Sequence, residues 1–477
     1  MESEEFRRLA HVVADWMADY LRDIGDYPVM PGVQPGATGR QLPAVPPATG
    51  ERMEAILADF KRIILPGMSH WNHPGWFAYF PATTSPPSVL AEMLTAALAA
   101  NCMSWQTSPA ATELEQVMMR WLGGSIGLPE SFTGVIQDTA STAALVALIC
   151  ARERASGGAF GSKGPAATES QRLTVYTSQE AHSSVPKGVR LAGFGSERLR
   201  LIPVDADYAM RPDALDAAIQ RDLADGLIPA CIVATTGTTS STALDPLRPI
   251  GEIARRHGAW LHVDAAYAGA AAILPERRAM LDGVELADSF VFNPHKWLLT
   301  NFDCSAFFVR DPQFLIRVFG TSPEYLRGSH DAEVVNYRDW GIPLGRRFRA
   351  LKLWFVLRSY GVEGLQEIIR SHIALADDFR GWVEADPDWE AMAPSPLALV
   401  CFRYRPSHLG PDDPRVDHLN RRILAIVNGS ERVHLTPTIL GGRYVLRLVP
   451  GALATRPQHV AEAWDLLRTA AREQTVV

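Results

Sequence analysis

The amino-acid sequence predicts an α/β protein with a mainly parallel sheet flanked by helices. Between about residues 86 and 350, short apolar runs alternate with stretches of helical periodicity, which is typical of strands joined by covering helices. Six runs are strand-like: 173–176, 199–204, 231–235, 260–263, 289–292 and 304–309. In such sheets ligands bind at the carboxyl ends of the strands, so residues that follow these runs are the first functional candidates.

The remaining chain predicts two smaller regions. Residues 4–24 and 51–64 have helical periodicity, and the proline- and glycine-rich stretch 28–50 lies between them. This arm has little core of its own, so we expect it to pack against a second copy of the chain. Beyond residue 352, helices and strand-like runs predict a small α+β domain. The predicted regions are a helical dimerisation arm (1–85), a large domain (86–351) and a small C-terminal domain (352–477).

Composition excludes several classes of protein. The chain has 477 residues, a net charge of −7 and a pI near 6.0, which argues against a basic nucleic-acid-binding face. Five cysteines without a C-x-x-C pair indicate free thiols in a reducing compartment. The acidic start lacks a signal-peptide core, and the apolar run near residues 90–100 is too short to span a bilayer. We therefore expect a cytoplasmic protein without nucleic-acid or membrane partners.

Lys296 is the most informative single residue. The chain has only five lysines among 46 basic residues, so a lysine in the segment 293–297 (NPHKW), directly after an apolar run, requires a reason. A lysine amine can lose its proton and form a Schiff base with an aldehyde, and pyridoxal phosphate (PLP) is the common aldehyde cofactor. The alternative is a solvated surface lysine near a strand end.

Asp264 ends another strand-like run and is followed by small residues. A PLP site needs a carboxylate against the pyridine nitrogen, so that the ring can accept electrons. An aspartate after a strand also commonly caps the next helix. Asp264 and Lys296 lie 32 residues apart, about one strand–helix–strand unit, which can bring both strand ends to one edge of a parallel sheet. Their joint occurrence favours the PLP interpretation.

Further candidates follow from the same chemistry. Residues 139–142 precede the apolar helix 143–151, which suits either phosphate binding at a helix start or an ordinary N-cap. Asp138 would repel a phosphate unless it points away or is neutralised. His182 follows the run 173–176 and could stack on a pyridine ring, or be a capping or surface residue. Tyr325 lies in a segment without period that is either a lid carrying an acid or a surface loop.

The pair His70 and His73 forms an H-x-x-H pattern in an aromatic loop, and we expect no metal site there. No other histidine or cysteine pattern indicates a metal ligand set.

Taken together, these motifs resemble the PLP-dependent aromatic-L-amino-acid decarboxylases, the group II decarboxylases. The resemblance covers nearly the whole chain and is carried by the segments 77–81 (FAYFP), 134–137 (GVIQ), 179–184 (QEAHSS), 237–239 (GTT), 262–269 (HVDAAYAG), 293–299 (NPHKWLL) and 342–349 (IPLGRRFR). It implies the type I aminotransferase-like PLP fold. It also implies a homodimer whose N-terminal arm wraps the partner, with the active site at the subunit interface.

The resemblance also implies roles, position by position. Lys296 would form the Schiff base, Asp264 would pair with the pyridinium, and Tyr325 would protonate Cα. The implied catalytic residues are Lys296, Asp264, His182 and Tyr325. The implied cofactor-binding residues are Lys296, Asp264, His182, Ala140, Ser141, Thr239, Ala266, Asn293 and His295. The implied substrate-binding residues are Trp71, Tyr79, Phe80, Met103 and Gly345.

The implied reaction is decarboxylation of an aromatic L-amino acid (tryptophan, 5-hydroxytryptophan, DOPA, tyrosine or phenylalanine) to the arylalkylamine and CO2. The alternative is an aromatic acetaldehyde synthase; such relatives often carry phenylalanine where this chain has Tyr325. A PLP-binding protein without turnover is a second alternative, which the presence of Lys296, Asp264 and Tyr325 disfavours. Ala82, Met103 and the loop 137–139 depart from the family pattern and leave the choice of aromatic substrate open.

Overall fold

The computed structural model describes residues 1–164, 172–321, 326 and 330–475. The chain forms two compact units. The first comprises Met1–Pro81, Asp378–Glu390 and Phe402–Val477, and the second comprises Ala82–Asp377 and Ala391–Cys401. The three-region division at residues 85 and 351 remains a prediction.

The second unit contains a seven-stranded mixed sheet within the described residues. Its strands are β1 (Thr133–Gln137), β2 (Leu173–Ser178), β3 (Leu199–Ile202), β4 (Ile228–Thr235), β5 (Trp260–Asp264), β6 (Ser289–Phe292) and β7 (Ser305–Val309). The strand order is β1-β7-β6-β5-β4-β2-β3. Strand β7 runs antiparallel to both of its neighbours, and the other pairs are parallel. The predicted mainly parallel sheet is confirmed.

Helices cover this sheet, as the alternating pattern predicts. The helices of the second unit are α3 (Pro86–Leu98), α4 (Pro109–Ile126), α5 (Ala140–Ala155), α6 (Ala159–Lys163), α7 (Ser184–Leu191), α8 (Pro212–Ala224), α9 (Leu247–His257), α10 (Pro294–Trp297) and α11 (Pro312–Phe319), together with the start of α12 (Arg349–Ala385). Helix α5 packs its apolar residues into a core shared with β2, β4 and β5. Every residue of β2 and β5 is buried, as expected for strands covered on both faces. Gly361 interrupts α12 with a φ of 66°.

Strand β1 is absent from the sequence-based prediction. It pairs only with β7, at one edge of the sheet, and it contains Gly134, which normally weakens a strand. Here the glycine is required by packing, because a Cβ at Gly134 would lie 2.2 Å from the Met119 side chain. Local periodicity does not reveal such a tertiary contact.

The first unit combines helices with a small sheet. Its helices are α1 (Ser3–Arg22), α2 (Met53–Asp59), α13 (Pro414–Asn428) and α14 (Pro457–Thr475). A four-stranded sheet belongs mainly to this unit and has the order β10-β11-β9-β8, from β8 (Trp389–Ala391), β9 (Val400–Tyr404), β10 (Thr436–Leu440) and β11 (Arg443–Leu448). In α1 only Leu9 is buried, which agrees with an arm that has little core of its own. Across the described ranges, none of the helices combines the length and apolarity needed to cross a bilayer.

Candidate active site

Asp264 lies at the carboxyl end of β5, in the middle of the large sheet. It is 4% exposed and stands in register between Thr235 of β4 and Val291 of β6. Its Oδ1 accepts the N–H of Ala266 at 3.0 Å, and its carbonyl accepts the N–H of Thr236 at 2.9 Å. The carboxylate is therefore fixed by the strand and by the turn that follows it.

Lys296 is brought to the same sheet edge by the neighbouring strand β6. Its N–H donates to the Asn293 carbonyl at 2.9 Å, and the Asn293 N–H donates to the Ala266 carbonyl at 3.0 Å. This chain of hydrogen bonds connects the lysine segment to the turn after Asp264. Burial lowers the pKa of the Lys296 amine, and the Asp264 carboxylate acts in the opposite direction. A lowered pKa increases the fraction of neutral, nucleophilic amine.

His182 follows β2, two strands from Asp264 in the sheet. Its Nδ1 accepts the N–H of Ser184 at 3.2 Å and lies 2.8 Å from the Ser184 hydroxyl, which fixes the ring and leaves Nε2 to carry the proton of the neutral form. Burial lowers the pKa of His182, while Asp264 raises it and Lys296 lowers it. The structure therefore brings the sequence-predicted histidine, aspartate and lysine into electrostatic contact.

The start of α5 lies after β1 and contains Ala140 and Ser141. Thr139 is the N-cap, and its Oγ1 accepts the N–H of Thr142 at 3.3 Å. The N-cap interpretation is thus correct, and it is compatible with a phosphate at the same helix start, where further N–H groups point outward. Ala140 is buried and Ser141 is exposed.

Asp138, which would repel a phosphate, has a cationic neighbour. Arg349 forms a two-pronged ion pair with Asp303, at 2.8 and 3.3 Å. Burial lowers the pKa of Arg349, but Asp303 and Asp138 both raise it, and the net shift is upward. The Asp138 charge is therefore partly neutralised by Arg349, a residue to which sequence reasoning gave no role although it ends the segment 342–349.

Asn293 and His295 both precede Lys296 in the same segment. Asn293 Oδ1 accepts the Ser305 hydroxyl at 2.6 Å, and His295 Nδ1 accepts the Cys304 N–H at 2.9 Å. Burial, with a smaller contribution from Lys296, lowers the pKa of His295 to about 3. His295 is therefore neutral at physiological pH and carries its proton on Nε2, which makes it a hydrogen-bond donor.

Thr239 and Ala266 complete the set of sequence-predicted cofactor residues. Ala266 directly follows the Asp264 turn and is partly exposed, and Thr239 lies in the loop after β4. That loop packs closely on the next segment, because a Cβ at Gly237 would lie 2.6 Å from Ala268 Cβ. Both residues belong to loops that leave the same edge of the sheet.

The residues at this edge fit PLP. An amine with a lowered pKa, a buried carboxylate, an imidazole ring and a helix start correspond to the aldehyde, pyridine nitrogen, ring face and phosphate of that cofactor. The hydroxyls of Thr235 and Thr236 are buried and have no hydrogen-bond partner within the described part of the chain. This edge therefore has polar groups that the described residues leave unpaired.

The sequence-predicted substrate residues are divided between the two units. Trp71, Tyr79 and Phe80 belong to the first unit, where the Trp71 and Tyr79 rings stack with centroids 5.6 Å apart. Met103 and Gly345 belong to the second unit. The predicted acid Tyr325 lies outside the described residues.

Comparison with known proteins identifies the family. Residues 35–405 match the model of the pyridoxal-dependent decarboxylase conserved domain. The chain belongs to the pyridoxal-dependent decarboxylase family. Its cofactor is PLP, and it is a lyase.

Similar proteins cover almost the whole chain. Phenylacetaldehyde synthase of Arabidopsis thaliana is 46% identical, over 98% of this chain and 96% of its own length. Aromatic-L-amino-acid decarboxylase of Mus musculus is 45% identical, over 98% of this chain and 97% of its own. A crystal structure of Oryza sativa TDC with PLP and tryptamine superimposes with a TM-score of 0.96 at 39% identity, covering 99% of both chains. The type I PLP fold expected from the resemblance is confirmed.

Three anchoring contacts of Arg346 were not visible in the sequence. The Arg346 side chain forms a buried ion pair with Glu115, at 2.6 and 3.1 Å. The Arg346 carbonyl accepts the N–H of Cys102 at 2.8 Å. The Arg346 N–H donates to Asn101 Oδ1 at 3.1 Å. These bonds tie the segment next to Met103 to the segment next to Gly345. The only available signal was a charged residue within the helical stretch of α4, which does not reveal its partner.

Proposed function

We propose that the chain catalyses the PLP-dependent decarboxylation of aromatic L-amino acids to the corresponding arylalkylamine and CO2. The main supporting observation is a sheet edge that unites Lys296 with Asp264 in a member of the pyridoxal-dependent decarboxylase family. The substrate class is supported by relatives named for aromatic amino acids, among them the mouse enzyme.

The positions of these residues at the sheet edge support the proposed roles. When bound, PLP supplies an electron sink for the carbanion left by departing CO2. Lys296 would hold the cofactor through its amine, and the Asp264 carboxylate would keep a proton on the pyridine nitrogen. His182 would stack on the ring, and Ala266 would lie beneath it.

The phosphate-binding role is assigned to donors around the lysine segment and the α5 start. Ala140 and Ser141 offer N–H groups at a helix N-terminus, where the helix dipole favours an anion. Neutral His295 offers Nε2–H, and Asn293 offers its side-chain amide, whose oxygen is already used by Ser305. Thr239, in the loop after β4, is proposed to contact the cofactor near the lysine.

The second candidate function is an aromatic acetaldehyde synthase. One relative of nearly half identity carries that kind of name, so overall similarity does not separate the two reactions. Tyr325 favours decarboxylation, because a tyrosine can return a proton to Cα and a phenylalanine cannot.

We further propose a homodimer with the active site at the subunit interface. Helix α3 exposes Leu90, Met93, Leu94 and Leu98 at 39–64% of their surface, so one apolar face is uncovered in the single chain. Phe302 and Ile342 of the same unit are also more than half exposed. A second copy of the chain would bury these side chains and would place Trp71, Tyr79, Phe80, Met103 and Gly345 where substrate can be enclosed.

A cytoplasmic location is part of the proposal. All five cysteines are free and buried, which suits a reducing compartment.

A product assay tests the proposed reaction. Purified protein with PLP would be offered tryptophan, 5-hydroxytryptophan, DOPA, tyrosine and phenylalanine, with histidine and glutamate as controls, and the products identified by mass spectrometry. We expect amine and CO2 from the aromatic substrates only. Aldehyde as the main product would favour the second candidate, and Tyr325→Phe should move the wild-type product towards aldehyde. No aromatic turnover would contradict both.

A further inference from the structure

His262 is a fully buried histidine in β5 that has no role in the site described above. Alternate residues of a strand share one face, so Trp260, His262 and Asp264 lie on the same face of the sheet. In register, His262 stands beside Ser289 of β6, and Asp264 stands beside Val291. His262 is thus the nearest polar neighbour of Asp264 along its own strand.

A chain of hydrogen bonds favours one tautomer of His262. Trp260 Nε1–H donates to Ser289 Oγ at 2.8 Å, and Ser289 Oγ lies 2.9 Å from His262 Nδ1. An indole nitrogen only donates, so Ser289 accepts from Trp260 and has its own proton to give to Nδ1. With Nδ1 as acceptor, the proton of the neutral ring is on Nε2.

The ring is uncharged at physiological pH. Burial lowers the pKa of His262 to about 4, although the Asp264 carboxylate acts to raise it. Nε2–H is therefore a neutral donor. It can orient a carboxylate without cancelling its charge, whereas an imidazolium would compete with a pyridinium for Asp264.

This donor has no hydrogen-bond partner in the described ranges of the chain. Buried polar groups are normally paired, so an unpaired N–H calls for an explanation. The Cα of Asp264 lies roughly 6.6 Å further along the strand, and its carboxylate is near enough to act on His262 electrostatically. Thr235, the register partner of Asp264, adds a hydroxyl on the same face that is also unpaired among the described residues.

We propose that His262 is a positioning residue whose Nε2–H orients the Asp264 carboxylate towards the pyridine nitrogen of PLP. The proposal rests on the role proposed above for Asp264. In this proposal, the hydrogen-bonded chain of Trp260, Ser289 and His262 holds the Asp264 carboxylate in place and does not serve packing alone.

Cofactor binding to the apoprotein tests this inference without any substrate. His262→Leu removes the donor, His262→Gln keeps an N–H at a similar reach, and Trp260→Phe alters only the far end of the line. For each protein, the PLP dissociation constant and the pH titration of the bound cofactor's absorption band would be measured. Unfolding of the apoproteins would be followed in parallel to register general destabilisation.

We expect His262→Leu to weaken PLP binding about ten- to hundred-fold and to move the pH midpoint of the absorption band. His262→Gln should recover most of both, and Trp260→Phe should have the smallest effect. Wild-type affinity and titration in His262→Leu would overturn the proposal. Equal losses in the Leu and Gln variants would overturn it too, since packing would then be the cause. Because no amino acid is present, a failed product assay would contradict the proposed function and leave this comparison valid.

Discussion

Asp264 is 4% exposed and held by backbone hydrogen bonds, whereas Trp71 and Tyr79 of the first unit are 38% and 51% exposed and stack on each other. The cofactor edge is assembled within one unit, from the ends of adjacent strands. The aromatic surface lies on loops and is uncovered in the single chain. The difference supports the proposal that cofactor chemistry is built into one subunit, while substrate recognition depends on burial by another surface.

The largest effect is expected at the cofactor edge itself. Lys296→Ala should lower kcat for decarboxylation by about 10²–10⁴-fold or more, because the neutral amine is lost. Lys187→Ala, which alters an exposed lysine of α7, is the matched control and should keep wild-type turnover. Turnover would be followed by CO2 release. A Lys296→Ala protein that remained active would contradict the assignment of this sheet edge as the active site.

The next effect concerns the uncovered apolar face. Leu94→Glu places a charge on α3 and should convert a dimer into a monomer, as measured by sedimentation, with loss of decarboxylation. Leu201→Glu alters a leucine of similar exposure on β3 and should leave the dimer intact. If Leu94→Glu stays dimeric, α3 is not the interface. If the monomer keeps full activity, substrate recognition does not need the second subunit.

The loss of folding stability in acid should depend on the histidine buried at the cofactor edge and not on a histidine at the surface. The pKa of His262 falls from 6.5 to about 4 in the folded protein, so the unfolded chain takes up the proton first as the pH drops. Its stabilising contribution is complete above about pH 6.5 and is lost towards pH 4, by about 3 kcal/mol. Urea unfolding of wild type and His262→Gln should be measured at about pH 6.5 and at pH 4. The difference between their free energies of unfolding should be smaller at the lower pH. His11→Gln, at an exposed site, is the matched control.

The smallest expected effect is on the choice of substrate. A Cβ at Gly345 would have the Asn101 side chain as its nearest neighbour, at 3.8 Å, so Gly345→Ser fits without strain. The added hydroxymethyl group should lower kcat/KM for tryptophan relative to tyrosine by about 10-fold. An unchanged ratio would mean that Gly345 does not face the ring of the substrate.

Much of this architecture was predictable, for a physical reason. Alternating apolar runs define covered parallel strands, and Asp264 and Lys296 follow such runs directly, so pattern alone brings them to one edge. Strand β1 was missed because its glycine is explained only by Met119 in another element. The counter-charge for Asp138 comes from Arg349, which lies more than two hundred residues further along the chain. No local sequence pattern indicates such a pair.

The substrate residues illustrate the other limit. Trp71, Tyr79 and Phe80 lie in a stretch without helical or strand periodicity, and only the resemblance to a family singled them out. Tyr79 also has a positive φ of 59°, a conformation that composition does not predict. Loop residues acquire their roles from what covers them, and that information is not local.

The most direct test of the account is to locate the lysine that carries the cofactor. The PLP-loaded protein would be reduced with borohydride, digested, and its peptides mapped by mass spectrometry. With only five lysines in the chain, each candidate falls in a distinguishable peptide. The account predicts the reduced pyridoxyl group on Lys296 alone. Its presence on Lys352 or another lysine, or its absence from a loaded protein, would contradict the assignment of this sheet edge as the active site.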